Sequence, residues 1–196
     1  MAMVGSYGEA EPVWYRCSMK KLADMKLLVR ALEFAAQKHR MQRRKDIDTS
    51  PYINHPIALV HVLCLDADIA DPVILAAAAL HDTIEDTETT PAELEREFGV
   101  EITRIVVEMT DDKSLPKAER KQLQIAHAAH KSHEGSLVKL ADKICNLRDV
   151  AKSPPTGWSL ERQREYFEWA NAVVQGLPRV NQTLLELFDA AYAMKP

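Results

Sequence analysis

The sequence predicts an all-α fold, a single helical bundle, and three observations carry that expectation. Only six glycines occur in 196 residues. No segment alternates Val, Ile or Thr with polar residues as a half-buried strand would. Apolar residues recur instead at a 3.6-residue spacing.

Leu27, Leu28, Ala31, Leu32 and Ala35 form such a stripe within a helix expected over Leu22 to His39. Pro56 suits a first helical position, so His55 falls at the cap of a helix reaching about Leu65. Asp71-Pro72 starts the next helix, Val73 to His81, whose nearly all-round apolar character predicts burial. Thr90, Pro91 and Glu93 read as a capping-box start and Gly99 as a stop. Ile102 to Met109 follows, then a loop through Pro116 and a helix from Lys117 to Ala129. After loop residues Ser132 to Gly135, an inner stripe of Leu137, Leu140, Ile144 and Leu147 marks another helix. A Pro154, Pro155, Gly157 loop precedes helices over Ser159 to Gln175 and Asn181 to Met194. No repeat or long linker divides the chain. Residues 1–20 read as a loose extension and 21–196 as one domain.

Hydrophobic residues make up 46% and charged residues 28%, ordinary for a globular protein. A net charge of −4 argues against a broad nucleic-acid-binding face, so any anion site must be local. No apolar run reaches the ~18 residues of a membrane span. Three cysteines, none in a C-x-x-C pair, argue against a disulfide framework and for the reducing cytoplasm.

The chemistry concentrates in a few positions. His81 and Asp82 end the apolar helix, where an unpaired carboxylate is costly and a divalent metal ion offsets that cost. Asp142 sits at the edge of a later apolar stripe, with Asn146 one turn on, and His55 stands at a third helix start. An H…HD…D set spread over separate helices suits a metal site between them. Glu85 and Asp86 follow the doublet and exceed what four-ligand coordination needs, so they are candidates for managing a water and its proton. His127, His130 and His133 lack an acidic partner nearby and read as structural, as do His39 and His61. Lys38, Arg40, Arg43, Arg44 and Lys45 crowd one helix end, as a solvated helix terminus or as a phosphate grip. Lys113, Lys117, Lys139 and Lys143 read first as surface lysines.

Taken together, these segments resemble the HD-type hydrolase domain of the RelA/SpoT family, which handles the alarmones ppGpp and pppGpp of the stringent response. Arg43-Arg44-Lys45-Asp46, Pro51-Tyr52-Ile53-Asn54-His55-Pro56, Leu80 to Thr87 and Leu137 to Arg148 resemble its motifs in order. Thr110 to Lys113, Gly157 to Ser159 and Glu165 to Ala170 resemble the stand-alone small hydrolases in particular, the metazoan SpoT homologues included. The resemblance spans roughly Leu27 to Gly176. It implies an all-helical HD domain, one Mn²⁺, and removal of the 3′-pyrophosphate to leave GDP or GTP. It implies His55, His81, Asp82 and Asp142 as ligands, with Glu85 and Asp86 serving the catalytic water. Arg44 would pack on the base, Lys45 would meet phosphate and Asn146 the ribose or its phosphate, with Lys117, Arg162 and Tyr166 as further nucleotide contacts. Two departures from the long bifunctional enzymes stand out: their glycine is absent from Asp46 to Ser50, and Cys145 replaces a histidine. The chain leaves no room for a synthetase domain. The expected partner is a small nucleotide, not nucleic acid or membrane, and nothing signals an oligomeric state. Two rival functions keep the same site: a 2′-phosphatase of NADPH, and a nucleotide-binding sensor without turnover.

Overall fold

The computed structural model describes residues 13–196, with side chains from Met19 onward. Among the described residues every regular element is helical, and extended backbone pairs only at one bridge, Arg43 to Pro51. The extension expected over residues 1–20 lies outside the described residues for 1–12, and helix α1 (Val13–Lys38) begins directly after.

Helix α1 packs on α3 (Pro72–Leu80) through the small, fully buried Ala31 and Ala35. Asp71 caps α3 by accepting the Val73 N–H at 2.8 Å, and every residue from Ile74 to Leu80 is buried. The all-round apolar sequence thus has the environment it requires. Between them lies α2 (Asn54–His61), extended by one π-helical turn, Val62–Asp66. Its start differs from the expected Pro56 by two residues. Proline is tolerated throughout a first turn, where N–H groups have no intrahelical acceptor, so His55 lies inside that turn.

A single helical turn, α4 (Thr83–Asp86), follows α3 almost directly. In α5 (Pro91–Phe98), Thr90 accepts the Glu93 N–H at 3.2 Å. The reciprocal half of the capping box is missing because the Glu93 carboxylate takes the Lys38 ammonium at 2.8 Å. Gly99 ends α5 at φ +86°, a conformation that favours glycine, and α6 (Val100–Met109) begins at once. Helix α7 (Lys117–His127) runs into a 3₁₀ turn, Ala128–His130.

Helix α8 (His133–Lys152) corrects the sequence reading twice. Ser132 accepts the Gly135 N–H at 3.0 Å, so His133 to Gly135 form its first turn and not a loop. The helix is also central, packed by α2, α3, α6, α9 (Leu160–Gly176) and α10 (Gln182–Tyr192). It is buried continuously from Gly135 to Cys145, so Lys139 and Lys143 are interior residues. Ser159 and Asn181 cap α9 and α10. No helix among the described residues is long and apolar enough to cross a membrane. Cys64 and Cys145 are free thiols.

Candidate metal centre and nucleotide cavity

His55 from α2, His81 and Asp82 from the end of α3, and Asp142 from α8 meet at the middle of the bundle. His55, His81 and Asp82 each place a ligand atom within 4.8 Å of the others. His55 Nε2 lies 3.3 Å from Asp142 Oδ1 and 4.0 Å from Asp82 Oδ2. Adjacent helix residues ordinarily diverge by about 100°. His81 and Asp82 converge because α3 stops at Leu80 and Asp82, at φ −101°, ψ 0°, lies at the margin of the helical region.

The donor set suits a divalent cation. His81 Nδ1 donates to the Ala78 carbonyl at 2.8 Å, which leaves the lone pair on Nε2. That Nε2 is buried and lacks a hydrogen-bond partner, although Asp82 Oδ2 stands 2.8 Å away. With Nδ1 committed as a donor, Nε2 is the ring atom that takes a cation opposite Asp82, either a proton shared with that carboxylate or a metal ion. Burial would hold His81 below its usual pKa, but Asp82 outweighs it and raises the imidazole. Burial alone would raise Asp82, and His81 and His55 reverse that, holding it well below the carboxylate range. Asp142 is likewise held low against its burial, by Lys143 and His55, while burial lowers His55.

Two side chains to which the sequence reading gives no part at the metal centre support these groups. The Tyr52 hydroxyl donates to Asp82 Oδ2, and burial followed by the Asp82 charge raises its pKa, so it remains a donor. Its signal was its place one turn before His55. Lys143 Nζ lies 3.1 Å from Asp142 Oδ2. Burial pushes the neighbouring Lys139 down to about 8, with Lys143 adding to the effect. Both lysines were masked by an expectation of surface exposure.

Glu85 and Asp86 stand beside the cluster in different states. Glu85 accepts the Asp111 N–H at 3.1 Å and lies 3.7 Å from Arg120; burial pushes its carboxyl up to about 7. Asp86 accepts Gln42 Nε2 at 2.9 Å and pairs with Lys113.

A cavity of about 630 Å³ lies beside this cluster; the four cluster residues and Glu85 are not in its lining, and Tyr52 and Asn146, which are, bond Asp82 and Asp142. Arg44, Lys45, Lys117, Asn146 and Tyr166 line it, as do Tyr52, Asp86 and Trp158. Arg44 pairs with Asp149 at 2.6 Å, donates to Asn146 Oδ1 at 3.3 Å and stands 5.6 Å above the Tyr52 ring. The Lys45 carbonyl accepts the Thr156 N–H at 3.0 Å, which fastens the Pro154–Gly157 loop to the cavity wall. Burial lowers Lys117, assisted by Arg162 and Lys45, so three cations remote in sequence share one field. Arg162 lies outside the lining and stacks 4.6 Å over the ring of Trp158. The loop without the family glycine carries Thr49 at φ +49° and is closed by Asp46, which accepts the Ser50 N–H at 2.9 Å. Arg43 turns back onto the Arg40 and Gln42 carbonyls. His127, His130 and His133 join no three-residue metal-competent group among the described residues.

The HD domain family matches residues 31–168, most of the chain. The curated protein guanosine-3′,5′-bis(diphosphate) 3′-pyrophosphohydrolase MESH1 of Mus musculus is 56% identical over 159 residues, covering 81% of this chain and 89% of its own. The chain belongs to the MESH1 family of HD-domain proteins. Its Drosophila melanogaster member is 48% identical over 164 residues, 84% of this chain and 92% of its own. A solved structure described as a metazoan ortholog of SpoT that hydrolyzes ppGpp superposes with a TM-score of 0.83 at 46% identity, covering 85% of this chain and 94% of that one. Family membership accords with the all-helical fold and with the metal-competent cluster at its centre.

Proposed function

We propose that this chain hydrolyses guanosine 3′,5′-bis(diphosphate) at the ribose 3′ position, releasing pyrophosphate and leaving GDP, or GTP from the pentaphosphate. MESH1 relatives carry that activity in their names at 56% and 55% identity. The observation that carries the reading for this chain is a cationic, aromatic-walled cavity whose lining touches the His55–His81–Asp82–Asp142 cluster. Tyr52, Asp86 and Asn146 line the one and contact, or directly adjoin, the other.

In this proposal the four cluster residues hold one divalent ion, Mn²⁺. When bound, such an ion supplies Lewis-acid polarisation of phosphoryl oxygens and acidifies an attacking water. Arg44, Lys45 and Lys117 bind the phosphates, and the ring of Tyr166 or the guanidinium plane of Arg44 takes the base. Asn146 is engaged at both ends, donating to Asp142 at 2.5 Å and accepting from Arg44, so it aligns the substrate grip with the reacting phosphorus. Glu85, whose carboxyl burial raises in the metal-free chain, takes the proton of the attacking water. Asp86, tied by Gln42 and Lys113, orients that water. Water attacks the phosphorus carried on the ribose 3′-oxygen. That oxygen leaves with the electron pair of the broken bond and is protonated to the hydroxyl. The free Cys64 and Cys145 thiols support a cytoplasmic setting.

The test is a Mn²⁺-supplemented assay of the purified chain with ppGpp, NADPH and dNTPs in parallel. Release of pyrophosphate and GDP from ppGpp is the expected result. Phosphate release from NADPH alone would reassign the substrate, and ppGpp binding without turnover would make the chain a sensor.

A further inference from the structure

Lys143 is 3% exposed, and Asp142 is its one carboxylate partner within 4.0 Å among the described residues. Burying an ammonium is costly unless it is paired, yet this one is placed against a side chain read as a metal ligand. The two oxygens of Asp142 have different surroundings. Oδ1 accepts Asn146 Nδ2 at 2.5 Å and faces His55 Nε2 at 3.3 Å, on the side of the cluster. Oδ2 faces Lys143 Nζ at 3.1 Å. The ammonium is held there from behind, 4.3 Å from the centroid of the Trp169 ring. Trp169 is itself fixed, since its Nε1–H donates to the Lys121 carbonyl at 3.0 Å. Lys121 Nζ also contacts that ring, at 4.7 Å. A lysine meant only to offset a stray charge needs no such seat.

We infer that Lys143, clamped by Trp169, is a positioning residue of the metal centre: it occupies Asp142 Oδ2, presents Oδ1 alone to the ion, and cancels part of the negative charge that a polyanionic substrate must approach. The inference rests on the reading of Asp142 as a ligand. Its physical content is a compromise. Two carboxylates and two imidazoles grip a divalent ion tightly, but surplus negative charge repels a nucleotide carrying two diphosphates. A buried unit charge close to both acts strongly in the low-dielectric interior. It weakens the hold on the ion and strengthens the hold on the substrate.

Those opposite signs make the test. Mn²⁺ affinity is measured by electron paramagnetic resonance on the wild type, Lys143→Met and Lys143→Arg, with steady-state hydrolysis of ppGpp at saturating Mn²⁺ alongside. Lys143→Met keeps the aliphatic stem and deletes the charge. It should tighten Mn²⁺ binding about tenfold, the scale on which groups bonded to metal ligands act. The Mn²⁺-induced rise in Tm should grow correspondingly. KM for ppGpp should rise more than kcat falls, and Lys143→Arg should restore wild-type values of both. Should Lys143→Met fail to fold, Lys143→Gln provides the same charge deletion, with folding checked by circular dichroism. Unchanged or weaker Mn²⁺ binding in a folded charge-deletion variant overturns the inference and leaves Lys143 a structural partner. A wild type that binds no Mn²⁺ overturns both the ligand reading and the inference.

Discussion

Replacing Glu85 by Gln tests the proposed proton carrier through stability as well as rate. The Glu85 carboxyl is pushed from 4.5 up to about 7, first by burial, then by the charges of Asp82, Asp111 and Asp86. In the metal-free protein the folded state therefore keeps a proton between these values that the unfolded chain has lost. Stability contributed by the protonated group is fully present below pH about 4.5 and is lost as pH rises through about 7. A shift of this size corresponds to roughly 3 kcal/mol. With about a fifth of the side chain facing solvent, 2–3 kcal/mol is the working range. For a domain of this length that is on the order of 5–10 °C in Tm. Glu85→Gln is close in shape, keeps an oxygen for the Asp111 N–H, and cannot ionise. Thermal unfolding of metal-free protein at pH 5 and pH 8 should show the wild type losing this increment relative to the variant. With Mn²⁺ and ppGpp, the variant should lose about 10²-fold or more in kcat, the scale of proton-transfer catalysis. A pH dependence of Tm identical in the two proteins would refute the account of burial, and an unchanged kcat would remove Glu85 from the chemistry.

Three further outcomes follow from the same geometry. His81→Ala and Asp142→Ala should abolish Mn²⁺ binding and turnover while circular dichroism stays helical; full activity of metal-depleted His81→Ala would end the metal reading. Arg44→Ala and Lys45→Ala should raise KM for ppGpp more than they lower kcat, the pattern of lost uniform binding, and Arg44→Lys should not restore a stacked contact; steady-state kinetics with unaltered KM in both would remove the grip. Asp46→Ala should free the loop that holds Thr49 at positive φ, raising KM through loss of the cavity wall with little change in Mn²⁺ affinity; wild-type KM would show that the loop closes without Asp46.

The fold was legible because its signals are local. Capping at Asp71, Thr90 and Gly99 and the apolar character of α3 need no tertiary information, and the helices stand where those signals put them. The start of α8 is hard to read because His133 and Gly135 are weak helix formers, although Ser132 as cap and Glu134 in the first turn are the signals that mark it. The metal-competent cluster was legible as residue types, and the break after Leu80 that turns His81 and Asp82 together was not. Tyr52, Lys143 and Trp169 act through partners 26 or more positions away or through the burial of a whole helix. A lysine in a helix looks solvated until neighbours on every side are known, and only packing supplies them.

Helix α8 links the proposed metal centre to the cavity beside it. Asp142, Asn146 and Asp149 recur at i, i+4 and i+7, a single stripe running from the core toward the surface. Asp142 is 7% exposed and adjoins the metal-competent group of His55, His81 and Asp82, its Oδ1 lying 3.3 Å from His55 Nε2, while the Asp149 side chain is 54% exposed at the cavity rim. Arg44 crosses from the loop after α1 to bond both Asn146 and Asp149, and Asn146 in turn bonds Asp142. The cation proposed to grip the nucleotide is thus two hydrogen bonds from the carboxylate proposed to hold the ion. The Arg44–Asn146 link is long at 3.3 Å and the Asn146–Asp142 link short at 2.5 Å, both partly buried, so Arg44 and Asp142 are joined through one shared side chain. On the opposite flank Lys143 holds the second oxygen of the same carboxylate. Asp142 is therefore restrained from both sides, by a substrate-side chain through Asn146 and by a core-side cation against Trp169. One helix with a polar stripe and one buried lysine sets the spacing between the proposed substrate grip and the proposed ion.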